Sequence, residues 1–271
     1  MSSEFVWNGF MLAVAIFGGI GVGNPQNAST SGTVTSIASA EARILPPSPS
    51  YHFPANKTLV YGADWHAFNA GTATIQLRPD GTTEKLIAAA NSSGTINLFF
   101  PVHDWFEAHF DPKTFCSSRV FKHSEEGKRN REVHIQVDYE RRKSVLDEKN
   151  LKTGESKHEE NDAPACATDI VSGFFYVASL PLQTGSASYF PVSDGGKTSV
   201  AVVRVEGRDQ VRVPAGTFHA IRVSLEAASG KLQGKGKLWV WFSDDAEHIP
   251  LQMQGKMGWG TVMFKLQKVG E

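Results

Sequence analysis

Residues 221–226 read IRVSLE, and this alternation of apolar and polar side chains decides the fold. Residues 249–254 (IPLQMQ) and 262–267 (VMFKLQ) repeat it. Because successive side chains of a β-strand point to opposite faces, each run predicts a strand with one buried face and one solvated face. Such half-buried strands are typical of antiparallel sheets. The C-terminal part of the chain therefore predicts antiparallel strands wrapped around one core.

The same period of two extends upstream, with two interruptions. It begins near Leu59 and predicts a three-stranded meander up to residue 90, followed by strands at 118–123 and 133–139. Residues 95–110 are crowded with aromatic side chains and predict a short helix. Residues 169–180 predict a second helix, because Asp169 can cap it and Pro181 follows it. The predicted fold is all-β and mainly antiparallel, a curved sheet closing into a barrel or half-barrel with these two short helices.

The N-terminal part predicts export. An apolar run at residues 10–23 and the sequence Ala-Ser-Ala at 38–40 resemble a secretory signal with cleavage before Glu41, and a disordered leader over residues 1–40 is the alternative. The Ser- and Pro-rich residues 41–56 predict a linker. A single β domain is expected over residues 57–271, in the periplasm or secreted. No integral membrane span is expected in the mature chain.

Charge and cysteine content narrow the function. The 27 basic and 28 acidic residues give a net charge of -1, so no overall field favours nucleic acid as a partner. Cys116 and Cys166 are the two cysteines of the chain. In an oxidising compartment they could close one disulfide that stabilises by up to ~4 kcal/mol, and two unpaired, partly buried thiols are the alternative.

Aromatic residues point to a ligand cavity. The chain has 17 Phe, 6 Trp and 5 Tyr, more aromatic surface than a narrow β core readily uses. Residues 238–242 (LWVWF) are apolar on both faces, which predicts either a fully sandwiched strand or one that lines a cavity. The candidate cavity-lining residues are Tyr61, Trp65, Phe174, Trp239 and Trp241.

Catalytic chemistry has weaker support. One group of potential metal ligands or acid/base residues comprises His103, Asp104, Glu107 and His109, and a second comprises Asp244, Asp245, Glu247 and His248. The first matches no zinc signature, and the aspartates of the second are typical of a hairpin turn. No nucleophile elbow, phosphate-binding loop or dinucleotide fingerprint is present. The sequence therefore predicts no catalytic residue, no metal and no cofactor, and an enzyme is the less favoured class.

Several motifs together resemble the bacterial DUF3108 family, over roughly residues 57–268. They are Tyr61 with Trp65 and Gly71, the helix from Asp169 to Pro181 and Gly185, the turn at 213–218 (VPAGTF), and residues 238–245 (LWVWFSDD) leading to Ile249 and Pro250. The resemblance implies an exported or envelope-associated β-rich bacterial domain with no established chemistry. It also implies a curved antiparallel sheet or barrel, broadly similar to periplasmic lipoprotein-carrier folds.

The leading functional hypothesis is a non-enzymatic, exported barrel-like protein that binds a lipid or another apolar or amphipathic ligand, or an envelope protein, in the concavity of its sheet. The alternative is a protein-interaction scaffold that uses the charged segment at residues 140–162 or a sheet edge. A hydrolase or metal-dependent enzyme built on the two polar groups is the third hypothesis. It requires those side chains to converge in one pocket.

Overall fold

The computed structural model describes residues 42–65, 68–229, 236–257 and 260–271. Its two helices are α1 (Gly94–Phe99) and α2 (Ser172–Ser179). Its strands are β1 (Thr58–Trp65), β2 (Phe68–Asp80), β3 (Thr83–Ser92), β4 (Val102–Phe110), β5 (Ser117–Glu126), β6 (Arg129–Asp138), β7 (Lys143–Asn150), β8 (Ser156–Asp162), β9 (Ala187–Ser193), β10 (Thr198–Val213), β11 (Gly216–Ala227), β12 (Lys237–Ser243), β13 (Pro250–Met257) and β14 (Gly260–Gly270).

All fourteen strands belong to one sheet, as the alternation predicts. Strands that follow one another in sequence pair antiparallel within β1–β8 and within β9–β14, and β1 also pairs with β14. The ladder is open between its two end strands, β8 and β9. The sheet curves until its two halves touch, since the Ser144 hydroxyl on β7 donates a hydrogen bond to the Gly195 carbonyl after β9, at 2.5 Å. The predicted curved antiparallel sheet is confirmed, in the form of an open barrel.

Glycine is required where the two halves meet. Gly195 has a φ of +91°, and a Cβ atom at this position would lie 2.5 Å from the Ile135 side chain on β6. A larger residue would be strained by the backbone conformation and would also collide with β6. Gly195 therefore allows the turn after β9 to pack directly on the inner face of β6.

Strand β4 corrects the helix predicted at residues 95–110. Helix α1 ends at Phe99, and residues 102–110 are extended. Phe106 and Phe110 are fully buried on the inner face, whereas Trp105 lies on the outer face and is 41% exposed. The crowding of aromatic residues masks a period of two, because an exposed tryptophan adjoins a buried phenylalanine.

Helix α2 fills one end of the barrel, and we call this the closed end. The helix lies within the predicted range 169–180, and all eight of its residues are buried. Asp169 precedes it and accepts hydrogen bonds from the backbone N–H groups of Val171 and Ser172, both at 2.9 Å. A helix that is apolar on every side must be covered on every side, which the curved sheet and the N-terminal segment accomplish here.

The N-terminal segment, residues 42–57, covers the closed end from outside. The N–H of Ser48 donates to the Ser179 carbonyl at 2.7 Å, and the N–H of His52 donates to the Ala246 carbonyl at 2.8 Å. The Phe53 ring lies 6.0 Å from the ring of Phe175. These residues were expected to form a linker over 41–56, and the structure instead packs them on the domain. Their apolar side chains lie on irregular backbone, which has no period to detect. The predicted leader lies outside the described residues.

Cys116 and Cys166 are joined by a disulfide. The bond links the turn between β4 and β5 to the segment that leads into α2. Both chain segments lie at the closed end, so the disulfide ties the helix region to the sheet.

The charged segment at residues 140–162 is a regular hairpin. It contains β7 and β8, and β8 is an end strand of the sheet. Its side chains form exposed ion pairs, such as Lys143 with Asp162 at 2.9 Å. Charged side chains of this kind are typical of edge strands that are protected against pairing with other chains. Across the described ranges, no helix has both the length and the apolarity that crossing a membrane would need.

Candidate functional site

Two of the five predicted cavity-lining residues are part of the packed interior. Tyr61 is fully buried, and its hydroxyl donates a hydrogen bond to the Pro250 carbonyl at 2.8 Å. Burial raises the pKa of this phenol far above its ordinary value. Phe174 is buried within α2. Both side chains are therefore part of the packed interior of the barrel.

Trp239 and Trp241 lie on the outer face of β12. Their neighbours Leu238, Val240 and Phe242 face the core, and both tryptophans are half-buried. The Trp241 indole N–H donates to the Asp209 carboxylate at 2.8 Å, and the Lys237 ammonium lies 4.9 Å from the centroid of the Trp239 ring. The second apolar face of this strand is thus a surface patch among charged side chains, and these two residues do not share a cavity with Tyr61 and Phe174.

Trp65 occupies a different place, at the end of the barrel opposite α2. It is half-buried, packs against the core and pairs across the sheet with Val262. We call this the open end; the connections from β3 to β4, from β5 to β6 and from β7 to β8 lie here. Of the five predicted residues, Trp65 is the one on the concave face at this end.

Small side chains line the concave face of the sheet toward the open end. Ala73 on β2 pairs with Ala90 on β3, which pairs with Asp104 on β4. The three alanines Ala73, Ala88 and Ala90 are half-buried, whereas Leu77 and Leu86, nearer the closed end on the same face, are fully buried. Solvent therefore reaches these three alanines, although their neighbours Ile75, Ser92 and Asp104 on the same face are buried. We call this surface the open-end concavity.

Charged side chains continue the open-end concavity across β5, β6 and β7. Ser124 on β5 lies between Asp104 and Arg131, and Lys122 lies between Phe106 and Val133. Glu148 on β7 follows Val133 in the same row. On the concave face, β1–β3 thus carry apolar side chains and β5–β7 carry charged ones, and Asp104 and Phe106 on β4 between them are buried.

Asp104 is the most deeply buried charged residue of this surface, with 3% of its area exposed. One carboxylate oxygen accepts a hydrogen bond from the N–H of Glu125 at 2.9 Å. Burial, and then the negative charge of Glu126, raise the pKa of Asp104 to about 8. Asp104 therefore carries a proton in the folded protein at neutral pH.

Asp104→Asn is expected to remove a pH dependence of stability. Because the pKa of Asp104 is raised from 3.8 to about 8 by folding, the folded state retains a proton that the unfolded state has lost between these values. Stability then falls as pH rises through this window, by up to roughly 1.4 kcal/mol per unit. The asparagine keeps the acceptor for the Glu125 N–H but does not titrate. The free energy of unfolding of the variant, relative to that of the wild type, should therefore increase from pH 5 to pH 8.

Urea unfolding at pH 5, 6, 7 and 8 measures this gain. Asp138→Asn, a change at an exposed carboxylate on β6, is the control and should keep the wild-type pH dependence. An Asp104→Asn variant whose stability runs parallel to that of the wild type over this range would contradict the prediction.

Lys122 and Arg131 have binding capacity that the described residues do not use. The Lys122 ammonium lies 5.8 Å from the centroid of the Phe106 ring and forms no ion pair with a described residue. Burial lowers the pKa of Lys122. Arg131 donates from Nη1 to Glu148 at 3.1 Å, while its buried Nε has no hydrogen-bond partner among the described residues.

The two polar groups considered for catalysis do not converge. His103, Glu107 and His109 lie on the outer face of β4, opposite Asp104. His109 contacts Asp80 and Glu107, each at 3.0 Å, within a surface ion network. Within the described ranges, no three His, Cys, Asp or Glu side chains are placed to hold a metal ion.

The second group shapes a turn, as the sequence interpretation favours. Asp245 accepts hydrogen bonds from the N–H groups of Glu247 and His248 at 3.0 and 3.1 Å. Asp244 pairs with Arg208 at 2.9 Å. The hydrolase hypothesis requires the side chains of one of these groups to converge in a pocket. Glu107 and His109 line a pocket on the outer face of the sheet, and His103 is not among the residues that line it.

The open end also exposes large apolar side chains. Phe68, at the start of β2, and Leu98 and Phe99, in α1, are 67%, 81% and 80% exposed. Ser93 holds α1 beside β2, because its N–H donates to the Ala70 carbonyl at 3.0 Å. Neighbouring exposed apolar residues of this size are typical of interaction or ligand sites.

Sequence reasoning missed Lys122, Arg131 and Glu148. One signal was present in residues 120–126 (VFKHSEE), where Lys122, Ser124 and Glu126 share the parity of the buried Val120. Polar residues at core-facing positions indicate that the face they occupy is not fully covered.

Comparison with known proteins identifies the family of this chain. The family model described as "Protein of unknown function (DUF3108)" matches residues 60–267. The chain belongs to the DUF3108 family. This confirms the resemblance read from the sequence, and no curated protein matches the chain.

Solved structures resemble the fold of this DUF3108 chain. A β-barrel-like protein of the domain of unknown function DUF1849 from Brucella abortus has a TM-score of 0.57 at 8% identity, covering 84% of this chain and 98% of its own. A protein of YmcC-like fold from Bacteroides fragilis has a TM-score of 0.33 at 11% identity, covering 85% of this chain and 100% of its own. The first likeness supports a shared barrel-like fold, and the second is too low to support an argument.

Proposed function

We propose that this DUF3108 protein is a non-enzymatic protein of the bacterial periplasm or cell exterior that binds a lipid or another amphipathic ligand in the open-end concavity. The observation that carries the proposal is the half-buried state of Ala73, Ala88 and Ala90 on the concave face. Alanines on a concave surface leave room that larger side chains would occupy. At the closed end the same face is covered by α2 and its surrounding aromatic residues.

The lining favours an amphipathic ligand over a purely apolar one. Alanines on β2 and β3 offer apolar contact, and Lys122 and Arg131 offer charge on the adjoining strands. The exposed Phe68, Leu98 and Phe99 lie at the same end of the barrel, where a ligand would enter. The disulfide agrees with an oxidising compartment, which is where such bonds persist.

Filling the concavity with a larger side chain is expected to abolish ligand binding. Ala88→Phe places a ring on the concave face, whereas Ala89→Phe places the same ring on the outer face opposite Trp105. The added ring occupies the space that the apolar part of the ligand would fill, which removes on the order of 1.5–3 kcal/mol of apolar burial from binding. Ala88→Phe should therefore weaken binding of N-phenyl-1-naphthylamine about tenfold or more, and Ala89→Phe should leave it unchanged.

Fluorescence titration of this apolar probe gives the dissociation constants, and thermal unfolding shows that both variants are folded. Ala90→Phe offers a second test on the same face. A wild-type protein that does not bind the probe would overturn the proposed function. Equal binding by the Ala88→Phe and Ala89→Phe variants would show that the probe binds outside the concavity.

A further inference from the structure

We propose that Lys122 and Arg131 bind the anionic head of the ligand, a carboxylate or a phosphate group, while its alkyl chain lies over the alanines of the open-end concavity. This inference rests on the proposed function and adds the charge of the ligand and the place of its head. It is carried by four features of the concave face, which concern position, unused hydrogen-bonding capacity, charge balance and apolar surroundings.

Lys122 and Arg131 are diagonal neighbours on the same face of adjacent strands. Lys122 on β5 pairs with Val133 on β6, and Ser124 pairs with Arg131. Diagonal neighbours lie roughly 7–8 Å apart, which is within reach of long side chains. Ser124, the cross-strand neighbour of Arg131 on this face, is small and half-buried. An oxyanion at this position can accept hydrogen bonds from both side chains.

Both cations have donors that the described residues leave unused. Arg131 bonds Glu148 through Nη1 only, and its Nε is buried without an acceptor among the described residues. A buried donor without a partner costs on the order of 1–3 kcal/mol. Lys122 forms no ion pair with a described residue, and its ammonium lies 5.8 Å from the centroid of the Phe106 ring. An oxygen of a bound anion would satisfy these donors.

The local charge balance favours one negative charge. Glu126 faces Arg129 at 3.8 Å, and Glu148 is paired with Arg131 at 3.1 Å. Asp104 is neutral at pH 7, since its pKa is about 8. The ammonium of Lys122 is then the one cation of this group without a paired carboxylate. Its pKa stays lowered by burial although Asp194 and Asp169 act on it in the opposite direction.

Those two aspartates are engaged elsewhere. The Asp169 carboxylate accepts hydrogen bonds from the Ser117 hydroxyl and two backbone N–H groups at the start of α2. The Asp194 carboxylate accepts from the N–H groups of Gly196 and Lys197, at 3.0 and 2.9 Å. Neither carboxylate forms an ion pair with Lys122 in the described part of the chain.

The surroundings of the two cations are apolar on the side of β3 and β4. Lys122 pairs across the sheet with Phe106, which pairs with Ala88. Ala88 is half-buried whereas Phe106 is fully buried, so an alkyl chain that starts at Lys122 would pass over the side chains that cover Phe106 to reach the alanines. A charged head beside a row of small apolar residues is the arrangement that an anionic amphiphile requires.

Isothermal titration calorimetry with twelve-carbon compounds tests whether the site prefers a ligand with an anionic head. Dodecanoate and dodecyl phosphate should bind at least about tenfold more tightly than dodecyltrimethylammonium, because a charge-assisted hydrogen bond contributes on the order of 1.5–3 kcal/mol. Acetate and inorganic phosphate, which have the head without the chain, should bind far more weakly. Two anionic heads distinguish a preference for carboxylate from one for phosphate.

Lys122→Met should weaken binding of the two anionic compounds about tenfold. Lys122→Arg keeps the charge and should restore most of the affinity. Lys149→Met, at an exposed lysine on β7, is the matched control and should bind like the wild type.

The outcomes separate the two proposals. If dodecyltrimethylammonium binds as tightly as dodecanoate, or if Lys122→Met binds dodecanoate as tightly as the wild type, the proposed site for an anionic head is wrong. The proposed ligand binding in the open-end concavity is not affected by either result. If acetate and phosphate bind as tightly as the dodecyl compounds, the site binds a free anion, and the proposal of an amphiphilic ligand is wrong. If N-phenyl-1-naphthylamine also fails to bind, the proposed function itself is overturned.

Discussion

Removal of the Cys116–Cys166 disulfide is expected to lower the free energy of unfolding by about 4 kcal/mol. The bond closes a loop with a sequence separation of 50, which spans β5 to β8. In the chain-entropy model the cross-link restricts the unfolded chain, and the restriction grows with loop length. The variant Cys116→Ser/Cys166→Ser, unfolded in urea beside the oxidised wild type, measures the difference.

A reducing agent supplies the control, because these are the only cysteines in the chain. Dithiothreitol should shift the unfolding midpoint of the wild type toward that of the double variant and should leave the double variant unchanged. A difference below about 1 kcal/mol, or an equal response of both proteins to dithiothreitol, would contradict the expected role of the disulfide.

Replacement of Asp169 by alanine is expected to destabilise the protein by about 3 kcal/mol or more. The carboxylate is buried and accepts hydrogen bonds from the Ser117 hydroxyl at 2.6 Å and from the N–H groups of Val171 and Ser172. The alanine removes the carboxylate that accepts these three hydrogen bonds and leaves the Ser117 hydroxyl and the two N–H groups buried without it. Two contributions add to this destabilisation. Loss of the helix cap costs about 1 kcal/mol, and the buried donors left without an acceptor account for the rest.

Asp245 offers a matched control, since it also accepts three hydrogen bonds, from Ser243, Glu247 and His248, but is exposed. Asp245→Ala should destabilise by about 1 kcal/mol, because water replaces the lost acceptor. Asp169→Asn keeps one oxygen for the two N–H groups and should recover part of the loss. Equal destabilisation by Asp169→Ala and Asp245→Ala would show that burial of the Asp169 carboxylate is not what matters.

Much of the fold could be predicted from local pattern. The alternation in residues 221–226 and 262–267 predicts β11 and β14 and identifies their buried faces correctly. The Asp169 cap and Pro181 predict α2, because capping and chain termination depend on adjacent residues. Where the period was obscured, prediction was wrong: residues 102–110 form β4 although Trp105 and Phe106 adjoin each other.

The candidate site was much less predictable than the fold. The sequence drew attention to Trp239 and Trp241 because they are large and apolar, and the structure places them on the outer face. Lys122 and Arg131 are ordinary strand residues in the sequence. They become a candidate site because the pairing of β5 with β6 brings them together on the concave side.

Local sequence was enough to predict the strand period, the capped apolar helix, the cysteine pair available for a bridge and the DUF3108 family, since each follows from the order of nearby residues or from a motif. It was not enough to predict which face of the sheet became concave or which end of the barrel stayed open. Those features depend on the pairing of β1 with β14, far apart in the chain, and on α2 occupying the closed end. Long-range contacts of this kind have no local period, so the alanines and cations of the open-end concavity are recognised only once the sheet has curved.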